Sequence, residues 1–290
     1  MVTGIIGGVL GLFCLSYAIF ARSHSWFQSL THWLCAGLGL LLLSRFWRHT
    51  AFYLGLQGVA AYVCEHPKTA GKEWTRHSKW LLNTLFTVQI HNETTYTQPV
   101  IFVMNHIAHS RPFDEFCLAL IEQPNLKIVA LPRKPDSYPD IIMKSLEYVP
   151  VKHGSGYEGF MQQCTKTLHD GHSLLLFPEG KRTDKQLHWT QLAEFQSGTF
   201  ELALQNRIPI VPIILEGFNC PDGWIKGFGQ GAQPLRLHYL DPIDTVECVE
   251  RGKTANDLKH LVRYQMNQKL KRILLKSLPQ EKAQVLQKYI

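Results

Sequence analysis

Cysteine occurs at seven positions, Cys14, Cys35, Cys64, Cys117, Cys164, Cys220 and Cys248, yet nowhere as Cys-x-x-Cys. Their odd number and scatter give neither a disulfide framework nor a zinc knuckle, and they fit a reducing compartment. His-Glu-x-x-His is missing as well, and His106 and His109 have no evident third ligand, so no metal site is expected. A serine hydrolase would need Gly-x-Ser-x-Gly at a strand-to-helix turn; Gly154-Ser155-Gly156 has the wrong spacing. There is no internal repeat and no low-complexity segment. Acidic residues are few: 23 Asp and Glu face 30 Lys and Arg, for a net charge of +7. That balance suits an anionic partner such as a phospholipid surface, a phosphorylated substrate or a nucleic acid. The cations are dispersed and no nucleic-acid module appears, so nucleic acid is not the expected partner.

What is present is length and apolar content. With 290 residues, 45% of them hydrophobic, the chain can build one sizeable α/β domain plus an appendage. Val2 to Ala21 carries no charge and would be about 30 Å long as a helix, the thickness of a bilayer's hydrocarbon core. A second apolar stretch runs from Trp26 to Leu43. Two such stretches with a short connection read as a membrane-anchoring helical hairpin over residues 1–48, with small-xxx-small pairs at Gly4/Gly8 and Gly7/Gly11. Arg45 and Arg48 follow the second stretch while the connection holds only Arg22, which puts the bulk of the chain on the cytoplasmic side. A cleaved signal peptide is the alternative, though no basic residue precedes the apolar run.

Residues 49–98 read as interfacial or linking helices. Ala51 to Val63 is apolar but short, and is either interfacial or buried. Trp74, Arg76, Lys79, Trp80, Leu81, Leu85 and Phe86 mix aromatics, cations and aliphatics at helical spacing, as a helix on a headgroup layer or one facing a core would. The polar stretch Asn92 to Gln98 marks the expected start of a catalytic domain over 99–290.

From Pro99 onward strand-like and helix-like segments alternate. Strands are expected at Val100 to Met104, Lys127 to Leu131, Tyr148 to Val151, Ser173 to Phe177, Ile208 to Leu215 and Leu235 to Tyr239. Helices are expected at Asp114 to Glu122, at Ile141 to Leu146, through Phe160, Cys164 and Leu168 to a stop at Asp170-Gly171, from Leu192 through Ala203, and from a capping box at Thr254 to Asp257 on to about Leu275. The alternation predicts an α/β fold: a mostly parallel central sheet flanked by helices, with functional residues in the loops at the strand ends.

Two stretches hold the chemistry. In Asn105-His106-Ile107-Ala108-His109-Ser110-Arg111-Pro112-Phe113-Asp114, an imidazole and a carboxylate stand five positions apart just after a strand. A carboxylate on one ring nitrogen fixes the tautomer and leaves the other free to take a proton from an alcohol. Counting separates the two histidines: five positions beyond His106 lies Arg111, and five beyond His109 lies Asp114. The second stretch is Phe177-Pro178-Glu179-Gly180-Lys181-Arg182-Thr183-Asp184, a turn that follows a buried strand. Glu179 can accept from hydroxyls, Gly180 lets the backbone approach a ligand, and Arg182 can grip a phosphate with its fork. Taken singly, a surface loop explains the first and a solvated polar turn the second.

Taken together and in order, these blocks resemble those of the glycerolipid acyltransferases, the family that includes lysophosphatidic-acid acyltransferase. The resemblance covers about Pro99 to Leu275: His109 and Asp114 match His-x-x-x-x-Asp, Tyr148 to Lys152 loosely match a second block, and Phe177 to Arg182 match Phe-Pro-Glu-Gly-Thr-Arg with Lys181 at the threonine. Phe195, Gly198 and Ile208-Pro209-Ile210-Val211-Pro212 match a later helix and Pro-x-x-Pro strand. The family often has Asn directly before its catalytic His, whereas here Asn105-His106 precedes His109 by three residues, and Lys152 replaces a usual Arg. The resemblance implies acyl transfer from acyl-CoA or acyl carrier protein to the free hydroxyl of a lysophospholipid, foremost 1-acylglycerol 3-phosphate. Lyso-ornithine lipid, other lysophospholipids and glycerol 3-phosphate are alternative acceptors, and a silent lipid-binding protein is the non-enzymatic alternative. It further implies His109 as base, Asp114 as its orienter, and Glu179, Gly180, Arg182 and Lys152 as substrate contacts. No cofactor or metal is implied beyond the donor thioester, and the setting would be the cytoplasmic face of a membrane, the bacterial inner membrane by analogy.

Overall fold

Phe102 and Val103 are neighbours in sequence but lie on opposite faces of a sheet, and both are fully buried. Side chains alternate along a strand, so a strand that is apolar at every position needs cover on both sides. In the computed structural model, which describes residues 55, 58–65, 68–85, 88–106, 120–151, 156–180, 192–216 and 235–277, that cover is helical.

The strands are β1 (Val88–His91), β2 (Ile101–Met104), β3 (Leu126–Ala130), β4 (Val149–Pro150), β5 (Ser173–Leu176), β6 (Ile210–Glu216) and β7 (Leu235–Tyr239). They form one sheet in the order β1-β7-β6-β2-β5-β3-β4. Every neighbouring pair is parallel except β6 with β7. β2 sits centrally, with Ile101 opposite Leu174 of β5 and Ile210 of β6. The mostly parallel α/β sheet expected from the sequence is therefore present. β1 was not foreseen: Val-Gln-Ile-His is short and half exposed, and its pairing with β7 joins residues about 150 apart in sequence. Because β1 belongs to the same sheet, Asn92 to Gln98 connects two of its strands, and the expected boundary at residue 99 falls inside the sheet.

One face is covered by α1 (Ala70–Leu85), α2 (Tyr138–Ser145) and the helical residues 58–64, the other by α3 (Gly156–His169), α4 (Gly198–Asn206) and α6 (Ala255–Ser277). A short α5 (Thr245–Glu250) is capped by Asp244. Trp74 and Leu82 of α1 enter the core with Ala60 and Val63, which decides for core-facing helices over this stretch; Trp80 stays 46% exposed. In α6, Leu258, Val262, Met266 and Leu270 recur every fourth residue and are all buried, and the Thr254/Asp257 capping box forms as expected. α2 begins at Tyr138, earlier than expected, because the Ser137 hydroxyl caps Asp140 N–H.

One helix is shorter than the sequence predicts. The sequence pattern puts Leu192 and Phe195 in the helix holding Leu202 and Ala203, but α4 starts only at Gly198 and residues 192–196 are non-helical. The reason is tertiary: the N–H groups of Leu192, Ala193 and Gln196 bond to Asn267, Glu179 and Pro178. Residues 120–122, the end of the helix expected over Asp114 to Glu122, are also non-helical, and the rest of that helix lies outside the described residues. So does the amino-terminal hairpin; among the described residues no helix is long and apolar enough to cross a bilayer.

Helix α1 docks its amino end on the end of α2. Gly71 N–H donates to Ser145 Oγ at 2.9 Å, and a Cβ on Gly71 would stand 2.6 Å from Leu146 Cγ and 2.9 Å from Leu146 N. Only glycine permits that approach, since part of the obstruction is backbone. Gly71→Ala is expected to destabilise the fold by about 1–3 kcal/mol through overpacking, measured by urea denaturation.

At the β1 side of the sheet, Glu216 bonds Arg236 Nη1 at 2.9 Å and His238 Nε2 at 3.1 Å, and His238 stacks on His91 with centroids 4.6 Å apart. Burial pushes the Glu216 carboxyl up, but His238 and Arg236 together outweigh it and hold the group below its usual range. His91 is lowered by partial desolvation first, then by the nearby His238, Lys269 and Arg236. Both shifts favour the deprotonated form in the folded chain, so each contributes stability that is present above the unfolded-state pKa and lost as pH falls through the folded one. The melting temperature is therefore expected to decline in two acid steps, below about pH 6.5 from His91 and below about pH 4.3 from Glu216. Calorimetry of Glu216→Gln should show a smaller lower step, with a remainder from the other carboxylates held down by their partners, Glu147, Asp170, Glu201 and Asp257.

Candidate active site

Three of the parallel strands end on the same edge of the sheet and are each followed by a stretch of interest. The chain leaves β2 through Asn105 and His106 toward His109 and Asp114, leaves β5 through Phe177 to Gly180 toward Arg182, and leaves β4 through Val151 toward Lys152. Strand order places the β5 exit beside the β2 exit, about 5 Å away, and the β4 exit three strands over, about 14 Å away. His109, Asp114, Lys152 and Arg182 themselves lie outside the described residues, while Glu179 and Gly180 lie within them.

Asn105 prolongs the β2 pairing beyond its last rung. Its carboxamide donates to Leu215 O at 3.1 Å and accepts from Leu215 N–H at 2.8 Å, so the side chain stands in for a strand residue next to β6. Buried peptide groups need partners, and here the amide supplies both a donor and an acceptor. The next peptide turns the other way: His106 N–H donates to Glu179 Oε1 at 3.0 Å, and the His106 ring meets Phe177 edge-on, centroids 4.7 Å apart. The start of the first motif is thus held by β6 on one side and by the Phe177–Gly180 turn on the other.

That turn closes through Gly180 N–H to Phe177 O at 3.0 Å. Gly180 has φ +64°, a left-handed conformation that favours glycine, and a Cβ there would press to 3.1 Å on Gln196 Cγ. Glu179 is 1% exposed. Its Oε1 accepts from His106 N–H and its Oε2 from Ala193 N–H at 3.0 Å, so the carboxylate joins three separate stretches of chain. Burying a carboxylate is costly, and two N–H donors offset that cost. The sequence casts Glu179 as an acceptor of a ligand's hydroxyls at an open turn; in this geometry both of its oxygens accept from the protein's own backbone.

Sequence reasoning passed over Asn105, except as a landmark, and missed the 192–194 segment together with Asn267 and Arg263 of α6, which hold it. A signal existed. Lys259, Arg263 and Asn267 form a polar i, i+4, i+8 stripe one position past the buried stripe of α6. What could not be read was the segment that stripe faces. Among the described residues no group of three or more His, Cys, Asp or Glu is arranged to hold a metal ion.

Residues 87–216 match the family model described as Acyltransferase. The 1-acyl-sn-glycerol-3-phosphate acyltransferases of Limnanthes alba and Cocos nucifera are 42% and 35% identical to the chain over 74 and 79 residues, 25% and 27% of its length. The chain matches only about a quarter of those relatives' length, 24% in each case. An uncharacterised acyltransferase of Schizosaccharomyces pombe is 27% identical over 74% of the chain and 77% of its own length. The crystal structure of the 1-acyl-sn-glycerophosphate acyltransferase PlsC of Thermotoga maritima superposes with a TM-score of 0.52 over 87% of this chain and 99% of that one, at 14% identity, which shows a shared fold. The stretch that matches the Acyltransferase model runs from β1 through β6 and includes the strand ends from which both motif blocks leave the sheet.

Proposed function

We propose that the protein transfers a fatty acyl group from an acyl-CoA or acyl carrier protein thioester to the free hydroxyl of a lysophospholipid, with 1-acylglycerol 3-phosphate as acceptor and phosphatidic acid as product. The observation that carries this reading is the hydrogen bond from His106 N–H to Glu179 Oε1, which ties the histidine stretch to the phosphate-binding turn three residues before His109. The matched names point the same way, since the plant relatives and the Thermotoga protein are described as acting on acylglycerol phosphate.

In this mechanism His109 takes the acceptor's hydroxyl proton while Asp114 orients and steadies the imidazolium. The oxygen attacks the thioester carbon, the carbon–sulfur bond breaks, and the proton is returned to the departing thiolate. No acyl-enzyme is required. Arg182, with Lys152 assisting from the farther strand end and Gly180 allowing close backbone approach, holds the acceptor's phosphate. Glu179 serves that turn from beneath by fixing its position. Residues 1–48 would anchor the chain as a helical hairpin on the cytoplasmic side of a membrane, and the net charge of +7 would draw the domain to anionic headgroups. Acceptor and product are both membrane-resident, so a site at the headgroup plane lets acyl chains enter without crossing water.

The test is an assay of the purified full chain in detergent with a panel of lysolipids and both donor types, products identified by mass. Phosphatidic acid from 1-acylglycerol 3-phosphate is expected; a product from another lysolipid alone would reassign the acceptor, and none from any would refute acyl transfer. His109→Ala is expected to lower turnover by about 10²- to 10⁴-fold with expression and membrane association intact, and undiminished turnover would remove His109 as the base. Arg182→Ala should raise the acceptor's KM about tenfold with a smaller effect on kcat, as expected for loss of a phosphate contact made before and during reaction. An unchanged KM would move the phosphate site.

A further inference from the structure

Residues 192–194 belong to neither helix nor sheet, yet Leu192 and Ala193 are buried, so their peptide groups must find partners elsewhere. The partners come from two places. From α6, Asn267 Oδ1 accepts Leu192 N–H at 3.2 Å, and Arg263 donates twice, through Nη2 to Leu192 O at 3.1 Å and through Nε to Ala193 O at 3.0 Å. From the motif turn, Glu179 Oε2 accepts Ala193 N–H. Arg263 also pairs with Glu194 through Nη1 at 2.8 Å, and Lys259 lies 3.5 Å from the same carboxylate, which is 58% exposed.

We propose that Arg263 is a positioning residue for the acyl-transfer site, acting from α6 through the 192–194 segment and the Glu179 carboxylate on the backbone at His106, where the histidine stretch leaves the sheet. The inference rests on the acyltransfer reading above. A planar guanidinium can donate in two directions to successive carbonyls, which a lysine ammonium on a flexible stem does not reproduce. α6 is a firm base for this fork because Leu258, Val262, Met266 and Leu270 seat it in the core, with Val262 and Met266 flanking Arg263. With Ala193 N–H fixed, the Oε2 end of Glu179 is fixed, and the Oε1 end then sets the His106 peptide. A displacement of about 1 Å at a reacting group costs on the order of 10²-fold in rate, so a remote fastener of this kind can govern turnover.

The experiment uses the full chain in detergent with two readouts: steady-state acyl transfer, and hydrogen exchange resolved to the amides of His106 and Ala193. Arg263→Ala is expected to lower kcat about ten- to hundredfold with the acceptor KM within about twofold, and to speed exchange at His106 and Ala193 while leaving Leu174 to Leu176 unchanged. Arg263→Lys, which keeps the Glu194 pair but lacks the fork, should fall between, and covers the case in which the alanine variant does not fold. Lys259→Gln, which removes only the 3.5 Å contact with Glu194 and leaves the fork of Arg263 in place, should match wild type within about twofold. Arg263→Ala combined with Glu179→Gln should be no slower than Glu179→Gln alone, because the two act in series. Multiplicative losses, a change confined to KM, or exchange that rises evenly across the sheet would overturn the proposal. If wild type transfers no acyl group, the functional reading fails while the exchange measurements still decide whether Arg263 acts on His106.

Discussion

A buried carboxylate joins the parts of this protein that matter for its chemistry. Glu179 lies at the carboxyl edge of β5, almost wholly out of water, with one oxygen on the backbone of His106 and the other on the backbone of Ala193. An anion in that position is tolerable only while its N–H donors are in place, and those donors are ordered only while the anion holds them. The exit of the central strand, the turn after β5 and the segment before α4 therefore stand or fall together.

The sheet makes that junction possible. β2 has β5 on one side and β6 on the other, all three running the same way, so their exits are neighbours. Asn105 answers β6 with its side chain just where His106 answers Glu179 with its backbone. One strand end is thus pinned from both flanks within two residues. The helical layers give the junction its rigidity: α6 is seated in one core by a stripe of four apolar residues, and its adjoining polar stripe reaches the 192–194 segment. The β1 side of the sheet is fastened by other means, with Glu216, the residue after Leu215, together with Arg236 and the stacked pair His91 and His238 joining β6, β7 and β1.

The likeness of residues 87–216 to the Acyltransferase model takes in this whole junction, from the exit of β2 to β6. Glu179 works below the surface on backbone, holding the turn from which the chain goes on to Lys181 and Arg182.

The alternation of apolar strands with helices was written plainly in the sequence, since fully buried parallel strands must read as apolar runs and the helices over them repeat at i, i+4. So was the capping box at Thr254, because its two partners are three residues apart. The order of the two motif blocks, and the turn glycine at 180, were equally legible. Tertiary structure alone decided the rest. β1 is too short to announce itself and exists by pairing with β7; residues 192–196 look helical and are not, because Asn267, Glu179 and Pro178 take their N–H groups. Glu179 reads as a ligand contact, and its anchoring of two distant backbone stretches shows only in the fold, for the same reason. Local patterns specify a residue's own backbone and the face it presents, but which distant group claims its hydrogen bonds depends on how the sheet and its helices come together.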